Sequence, residues 1–206
     1  MNIAIIGSGN VGGALAKKWI KAGHHVLIGA RLPLSDKNVK LASELGEDRF
    51  KTIEYVVQQC DILFISTPAP ATIEVVKSLG DTSGKIIIDA MNIVMGRGPV
   101  GYKNTTDAIL DNTQTKDVVK CFNTTGFNNM INPDYEHMSL DLFVAGDSER
   151  GKQTAIQLAK DAGFAECYNI GGNDKFELME QFAWFWINLA MFQGQGREIG
   201  FKLLKR

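Results

Sequence analysis

Short apolar runs alternate with amphipathic segments along most of the chain. Uninterrupted apolar runs bounded by glycine or polar residues are typical of strands that are buried on both faces. The segments between them repeat apolar residues with the period of helices that cover a sheet. The predicted strands cover residues 2–6, 25–29, 62–66, 85–89 and 118–122, and the predicted helices cover residues 10–22, 37–45 and 71–79.

The alternation continues less regularly beyond the fifth predicted strand. We predict further strands at 141–145 and 165–169, a helix at 148–162 and a long helix at about 175–192. A short helix is expected to close the chain. The Gly-rich segment 92–106 is expected to be a long loop at the edge of the sheet.

These elements predict an α/β protein with an open, doubly wound, mostly parallel sheet and a small C-terminal helical segment. Residues 1–125 are expected to form the doubly wound domain. Residues 126–206 are expected to form a small α/β extension with helices, packed on the first domain as one compact unit.

The first predicted strand leads directly into a glycine motif, Gly-Ser-Gly-Asn-Val-Gly at residues 7–12, which also opens the first predicted helix. Strand, glycine loop and helix in this order form the context in which G-x-G-x-x-G binds a dinucleotide. Gly7 permits the turn, Gly9 leaves the backbone open to a pyrophosphate, and Gly12 lets the helix approach the sheet. The predicted domain is therefore of the Rossmann type. The alternative is a glycine turn that only joins strand to helix.

The residues after the second predicted strand favour NADP(H) over NAD(H). In NAD sites an Asp or Glu near this position binds the ribose hydroxyls, whereas this chain has no acid between Gly29 and Asp36. Arg31 suits a 2′-phosphate because a guanidinium donates in a planar fork, and Lys37 follows closely enough to add a contact. The alternative for Arg31 is a solvated loop arginine.

Small and polar residues follow the next three predicted strands, where a nicotinamide and a substrate are expected to lie. Thr67 and Asn92 carry groups that hydrogen-bond a ribose or a carboxamide, although strand-end caps and turns use the same residue types. No catalytic acid, base or nucleophile is identified, and no spacing of metal ligands is found. The small and polar residues at the ends of these three strands are Ser66, Thr67 and Pro68, then Asn92, and then the segment 122–126.

Composition narrows the classes of partner. The 206 residues have a formal net charge of −1 and no basic block, so nucleic acid is a weak candidate. The three cysteines are widely spaced, which is typical of buried free thiols in a reducing compartment. No signal peptide or membrane span is recognised, and a cytoplasmic location is expected.

The long predicted helix near the C terminus is unusually apolar at residues 182–192. So many aromatic residues are not expected on a side that faces solvent. Two locations are considered for this stretch: the core of the chain, or the seam of a homodimer that closes the partner's active site.

Five segments of the chain have a familiar combination of motifs: residues 1–31, FISTP at 64–68, IIIDAMN at 86–92, VVKCFNTTG at 118–126 and INLAMFQGQGREIGFKLL at 187–204. Together they resemble one family, the NADP oxidoreductases that use the deazaflavin coenzyme F420, with their bacterial relatives. The same nucleotide-binding fold resembles the oxidoreductase domain of six-transmembrane metalloreductases.

The resemblance implies direct hydride transfer between the nicotinamide of NADP(H) and a deazaflavin (F420-like) or flavin-like acceptor. Such chemistry depends on positioning and needs little acid–base help. The resemblance also implies a C-terminal segment that packs at a homodimer interface. By the motifs of the family, Ser8, Gly9, Asn10 and Val11 hold the pyrophosphate, Arg31 and Lys37 the 2′-phosphate, and Ser66, Thr67, Pro68, Ala90 and Asn92 lie near the nicotinamide.

Two other functions stay compatible with these residues. One is an NADPH-dependent reductase of a small carbonyl or imine, which requires a proton donor that the sequence does not identify. The other is a sensor that binds NADPH without catalysing a reaction. The residues of the cleft permit this function because they include no identified catalytic acid, base or nucleophile.

Overall fold

An eight-stranded sheet forms the centre of the molecule, and a computed structural model describes residues 1–206. The strands are β1 (Asn2–Ile6), β2 (His25–Gly29), β3 (Phe50–Lys51), β4 (Ile62–Ile65), β5 (Ile86–Asp89), β6 (Val118–Cys121), β7 (Asp134–Tyr135), β8 (Met138–Ser139), β9 (Leu142–Ala145) and β10 (Cys167–Asn169). The helices are α1 (Asn10–Lys21), α2 (Asp36–Leu45), α3 (Ile53–Gln59), α4 (Thr72–Lys77), α5 (Thr105–Asp111), α6 (Phe127–Ile131), α7 (Glu149–Asp161) and α8 (Phe176–Ile187).

The strand order is β10-β9-β6-β5-β4-β1-β2-β3, and β7 and β8 form a separate hairpin. Neighbouring strands in the sheet are parallel except β6 and β9, which pair antiparallel. The chain order reverses between β1 and β4, and such a switch point is where open α/β sheets bind ligands. The predicted α/β class, with its doubly wound and mostly parallel sheet, is therefore confirmed.

The sheet runs through both predicted domains, because β6 pairs with β9 through Lys120↔Ala145 and Cys121↔Val144. The boundary at residues 125 and 126 stays a prediction. None of the helices combines the length and apolar character that a bilayer crossing requires.

The sequence pattern misses several short elements: β3, α3, α5 and the hairpin of β7 and β8. The segment 92–106, predicted as a loop at the edge of the sheet, instead follows the central strand β5 and becomes helical at Thr105. The reason lies in capping, because the Asn104 side chain accepts a hydrogen bond from the Asp107 N–H at 2.7 Å. The Thr105 hydroxyl also anchors the first turn by donating to the buried Asp89 carboxylate at 2.5 Å.

The two faces of the sheet are covered by separate apolar clusters of 27 and 15 buried residues. Trp19 of α1 lies in the larger cluster, where it packs edge-on against Phe64 and Phe122 at centroid distances of 5.1 and 5.7 Å. Its indole N–H donates to the Leu158 carbonyl oxygen at 2.9 Å. This packing ties α1 to the sheet and to α7, and so fixes the position of the helix that follows the glycine loop.

Strand β6 ends one residue earlier than predicted, because Phe122 has a positive φ of 63°. In non-glycine residues this conformation strains the backbone, and surrounding contacts must offset the strain. Here Phe64 and Trp19 pack edge-on against the Phe122 ring. The turn directs the chain into Asn123 at the carboxyl end of the sheet.

The prediction of a short C-terminal helix is wrong, since residues 193–206 form no helix. The buried Asp141 holds this segment instead: its carboxylate accepts from Lys202 Nζ at 2.7 Å and from the Leu203 N–H at 2.8 Å. Its own N–H donates to the Phe201 carbonyl oxygen at 3.0 Å. A side chain at Gly200 would clash with Leu140, so the backbone itself packs on the domain. Tertiary hydrogen bonds replace those of a helix.

Helix α8 continues as a π-helix over Asn188–Phe192, in agreement with the long helix predicted there. One side of α8 is buried in the chain and includes Phe176, Met179 and Trp186. The other side carries large exposed apolar side chains. We call these the α8 patch: Trp184 (41% exposed), Phe185 (51%), Met191 (51%) and Phe192 (57%).

Candidate functional site

A cavity of about 770 Å³ opens at the carboxyl ends of β1, β2 and β4. It lies at the switch point of the sheet, where the topology predicts a ligand. The glycine loop forms its floor, and the β2–α2 connection and α4 face each other across it. The predicted site residues among its lining are Gly7, Ser8, Gly9, Arg31, Lys37, Ser66, Thr67 and Pro68.

The three glycines of the motif are required for different reasons. Gly7 has φ of +115°, and an added Cβ would lie 2.7 Å from the Ser66 carbonyl oxygen. A Cβ on Gly12 would clash with the Gly7 carbonyl oxygen and lie 2.9 Å from Ser66 Oγ. A Cβ on Gly9 would meet nothing within 4 Å. The fold therefore demands Gly7 and Gly12, whereas no contact within the chain requires a glycine at position 9.

Helix α1 begins beside this space with Gly9 as its N-cap, and no side chain caps it. The N–H groups of the first turn of a helix have no partner inside the helix. Together with the positive end of the helix dipole they favour an anion. Asn10, Val11 and Gly12 supply these groups without lining the cavity by their side chains. The bare Gly9 and the uncapped helix thus fit a pyrophosphate.

The Ser8 hydroxyl donates to Asn38 Oδ1 at 2.5 Å, and the buried Asn38 donates in turn to the carbonyl oxygens of Leu32 and Pro33. Asn38 therefore fastens the loop that carries Arg31 to the glycine loop. Sequence reasoning missed this residue. Its signal was an asparagine in the first turn of α2, directly after the loop that carries Arg31.

Arg31 reaches the cavity from the β2–α2 connection, and Lys37 from the first turn of α2. The guanidinium of Arg31 donates from Nη1 to Glu74 Oε1 at 3.0 Å, across the mouth of the cavity. Both side chains are exposed, at 81% and 66%. Glu74, on α4, was not foreseen as part of this site. Ser35 lines the same wall and makes no side-chain capping hydrogen bond.

The predicted nicotinamide side is held together by its own hydrogen bonds. Ser66 Oγ donates to the Gly7 carbonyl oxygen at 3.2 Å, and Thr67 Oγ1 to Met91 Sδ at 3.2 Å. The Ala90 N–H donates to the Ile65 carbonyl oxygen at 3.0 Å and so extends the pairing of β5 with β4. Hydrogen bonds of this kind are expected if these residues serve as caps and turns at strand ends, which is the alternative to a role in binding. Ser66 and Thr67 also line the wall of the cavity.

Asn92 is bound reciprocally to Asn123, which connects the ends of β5 and β6. Asn92 Nδ2 donates to the Asn123 carbonyl oxygen at 2.7 Å, and Asn123 Nδ2 donates to Asn92 Oδ1 at 2.9 Å. Neither Ala90 nor Asn92 lines the cavity. Asn123 Oδ1 is buried and has no partner within the chain. A buried acceptor without a partner is costly, and Asn123, like Asn92, does not line the cavity.

Beneath this amide pair lies a buried ionic cluster that sequence reasoning missed. The ammonium of Lys120 lies 3.0 Å from Asp89 Oδ2 and 3.0 Å from Glu180 Oε1. It also donates to the Met91 carbonyl oxygen at 2.9 Å. Burial lowers the pKa of Lys120, but the charges of Asp89 and Glu180 and their hydrogen bonds raise it, and the net shift is upward. The two carboxylates therefore favour the charged form of Lys120, which holds the backbone after β5 through the Met91 carbonyl oxygen.

The titratable groups of the chain provide no activated nucleophile. Burial raises the pKa of the Cys60 thiol to about 11, with a smaller contribution from Asp61. Burial, followed by the contact with Cys167, raises the pKa of Cys121 as well. All three cysteines are free and buried. No group of three or more His, Cys, Asp or Glu side chains is arranged to hold a metal ion.

Residues 2–93 match the model of the family described as NADP oxidoreductase, coenzyme F420-dependent. The matched range contains every residue that lines the cavity, from Ile6 to Ser78. The resemblance predicted from the sequence motifs is therefore confirmed for this part of the chain.

Solved structures share the fold at low sequence identity. A candidate F420-dependent NADP reductase from Arthrobacter sp. FB24 has a TM-score of 0.86 and 22% identity, over 100% of both chains. An imine reductase from Streptomyces aurantiacus has a TM-score of 0.68 and 14% identity, over 94% of this chain and 64% of that one. A reductive aminase from Aspergillus terreus, solved with NADPH and ethyl levulinate, has a TM-score of 0.65 and 15% identity, over 94% and 62%. The chain spans less than two thirds of the last two proteins.

Proposed function

We propose that the protein transfers a hydride between NADP(H) and a deazaflavin or flavin-like acceptor, because residues 2–93 match the model of the family described as NADP oxidoreductase, coenzyme F420-dependent. The observation that carries the proposal is the space beside Gly9, which no contact within the chain explains. It opens from the uncapped start of α1 into a cavity that ends at Arg31 and Lys37. The two ends have the chemistry of a pyrophosphate site and a 2′-phosphate site.

The binding residues divide along the cavity. Gly7, Gly9 and the N–H groups at the start of α1 bind the pyrophosphate, with Ser8 and Asn10 beside them. Arg31 and Lys37 bind the 2′-phosphate through charge-assisted hydrogen bonds. Ser66, Thr67 and Pro68 form the wall toward the nicotinamide, and Ala90, Asn92 and Asn123 shape the carboxyl ends of the next strands.

NADPH supplies the hydride, and the chain has to position both partners and exclude side reactions. Asn123 lies at the strand ends beside the cleft, and its buried Oδ1 has no partner within the chain. Its partner Asn92 and the Lys120 cluster hold it rigidly in place. Hydride transfer leaves a reduced flavin-like ring as an anion, which takes up a proton from solvent, so no side chain has to donate one. The absence of an activated acid or base is therefore compatible with this reaction class.

The direct test is a fluorescence titration with NADPH and NADH, followed by NADPH oxidation with a panel of acceptors. We expect saturable binding with a preference for NADPH, and oxidation when F420 or a free flavin is added. Oxidation only with small imines or carbonyl compounds would show that the acceptor belongs to that class and is not a flavin or deazaflavin. Tight NADPH binding with no acceptor consumed would indicate a sensor. No saturable NADPH binding would contradict the proposal itself.

We also infer that the protein forms a homodimer through the α8 patch. Four large apolar side chains exposed to this extent on one short stretch of helix indicate a contact site. Its aromatic members are typical of the centres of protein interfaces. Trp184 and Phe192 lie next to each other within the patch, with ring centroids 5.9 Å apart.

A further inference from the structure

The ion pair between Arg31 and Glu74 closes the end of the cavity where the 2′-phosphate is proposed to bind. Arg31 follows β2 on one wall, and Glu74 lies on α4 in the opposite wall. Only one hydrogen bond joins them, from Nη1 to Oε1 at 3.0 Å. The other donors of the guanidinium have no partner of their own in the chain. An exposed single contact of this type is weak, so a ligand with a stronger charge can displace it.

Glu74 is the carboxylate in the cavity that engages Arg31. Asp36 also lines the cavity, but it lies in the first turn of α2, where the helix dipole stabilises a carboxylate. Lys37 follows it on the same turn and makes no ion pair in the structure. When a phosphate reaches Arg31, the Glu74 carboxylate loses its cation and remains on the wall that faces the phosphate. Like charges at such a distance repel each other, and water and salt screen the repulsion only in part.

The effect of Glu74 differs between the two dinucleotides. NADP(H) brings a phosphate that competes with Glu74 for Arg31 and is repelled by it. NAD(H) brings ribose hydroxyls, which carry no charge and can donate hydrogen bonds to a carboxylate. The ion pair can therefore persist when NAD(H) is bound, whereas NADP(H) has to break it. A carboxylate on α4 thus acts against the phosphorylated cofactor, although the end of β2 lacks the acid that usually does so.

We propose that Glu74 is a specificity-determining residue: it competes with the 2′-phosphate for Arg31 and holds the preference for NADP(H) below the level that Arg31 alone would give. The inference rests on the proposed function, because it requires NADP(H) to occupy this cavity. It adds a residue of α4 that neither the glycine motif nor the end of β2 identifies.

The test compares dissociation constants for NADPH and NADH in the wild type, Glu74→Gln, Arg31→Ala and the double variant. Glu74→Gln keeps the shape of the side chain and removes its charge. We expect it to tighten NADPH binding about three- to tenfold. We expect NADH binding to change by less than about twofold, since no phosphate is present. In the Arg31→Ala background the gain should be much smaller, because the competition is lost.

Glu166→Gln is the matched control, since Glu166 is also exposed and lies near a single lysine, but outside the cavity. It removes the same charge from the chain. Raising the ionic strength from about 50 to about 500 mM should reduce the gain of Glu74→Gln, because the Debye length shortens. The Glu74 side chain is 66% exposed, so the variant should fold normally.

Three results would overturn the inference: NADPH affinity in Glu74→Gln equal to that in Glu166→Gln, equal tightening for NADPH and NADH, or an undiminished gain without Arg31. The wild-type titration separates this failure from failure of the proposed function. If the wild type does not bind NADPH saturably, both are lost. If it binds NADPH and Glu74→Gln changes nothing, only the role of Glu74 is lost.

Discussion

The ammonium of Lys120 lies 3.0 Å from the carboxylate of Asp89, and both side chains are completely buried. Glu180 of α8 approaches the same ammonium at 3.0 Å, and its other oxygen accepts from the Ile93 N–H at 2.8 Å. Three separate parts of the chain, β5, β6 and α8, therefore meet at one cation. The cluster connects the helix that carries the α8 patch to the strand ends beside the proposed cofactor site.

Lys120→Met should destabilise the protein strongly. The variant leaves the carboxylates of Asp89 and Glu180 buried without a cation, and breaking a buried pair in this way typically costs about 3–5 kcal/mol. Lys116→Met is the control, because Lys116 is exposed and donates only to a carbonyl oxygen at 3.3 Å. Denaturant unfolding measures both. A change in the free energy of unfolding of Lys120→Met no greater than that of Lys116→Met would show that the cluster does not hold the fold.

Local signals explain what the sequence could predict. An apolar strand, a glycine motif and an amphipathic helix follow one another in residues 2–21, so this unit and its phosphate-binding role can be recognised without tertiary contacts. Lys120 was missed because Asp89 lies 31 residues earlier, and only the register of β5 and β6 places the two side chains together. Its signal was a lysine inside an otherwise apolar strand, which requires a buried partner.

Long-range contacts also explain the remaining errors. Nothing near the C terminus of the sequence indicates that Asp141 will bind Lys202 and the Leu203 N–H. Glu74 was missed for a similar reason, since it lies 43 residues from Arg31 and meets it only across the cavity. Patterns along the chain thus predict elements, whereas pairings between distant side chains require the fold.

Substitutions at Gly9 and Gly12 should separate binding from folding. Gly9→Val should keep the protein folded, because a Cβ there has open space and a poorer N-cap costs only about 1 kcal/mol, but it should abolish saturable NADPH binding by obstructing the pyrophosphate. Gly12→Ala should lower the melting temperature, because its Cβ would clash with the Gly7 carbonyl oxygen. Thermal melting and NADPH titration on both variants provide the comparison. Normal NADPH affinity in a folded Gly9→Val variant would exclude this loop as the pyrophosphate site.

Arg31→Ala should weaken NADPH binding by on the order of ten- to a hundredfold, as expected for the loss of a charge-assisted hydrogen bond, and should affect NADH much less. Lys37→Ala should act in the same direction with a smaller effect, because an ammonium lacks the planar fork of a guanidinium. Lys40→Ala is the control, since Lys40 is exposed on α2 but does not line the cavity. Equal losses for the two dinucleotides would rule out recognition of the 2′-phosphate by Arg31.

The buried thiols should be inert in the folded protein and should affect its stability only at alkaline pH. With a pKa of about 11, only about one Cys60 thiol in a thousand is ionised at pH 8. The folded state keeps this proton above pH 9.0, the ordinary value, whereas the unfolded chain loses it there. Stability from this group is therefore complete below pH 9.0 and is lost as the pH rises to about 11. Iodoacetamide at pH 8 should label all three cysteines in denaturant and none of them rapidly in the native state; rapid native labelling of Cys60 would contradict its burial.

The α8 patch should hold two copies of the chain together. A stable interface buries roughly 800 Å² on each partner, and large aromatic side chains at its centre contribute most of the affinity. Light scattering at micromolar concentration should therefore give about twice the monomer mass of 22.6 kDa. Trp184→Glu combined with Phe192→Glu should yield monomers, because a carboxylate buried at the seam is costly. Tyr55→Glu, an exposed aromatic residue on α3, should leave the mass unchanged. A wild type that stays monomeric at every concentration would contradict the proposed homodimer.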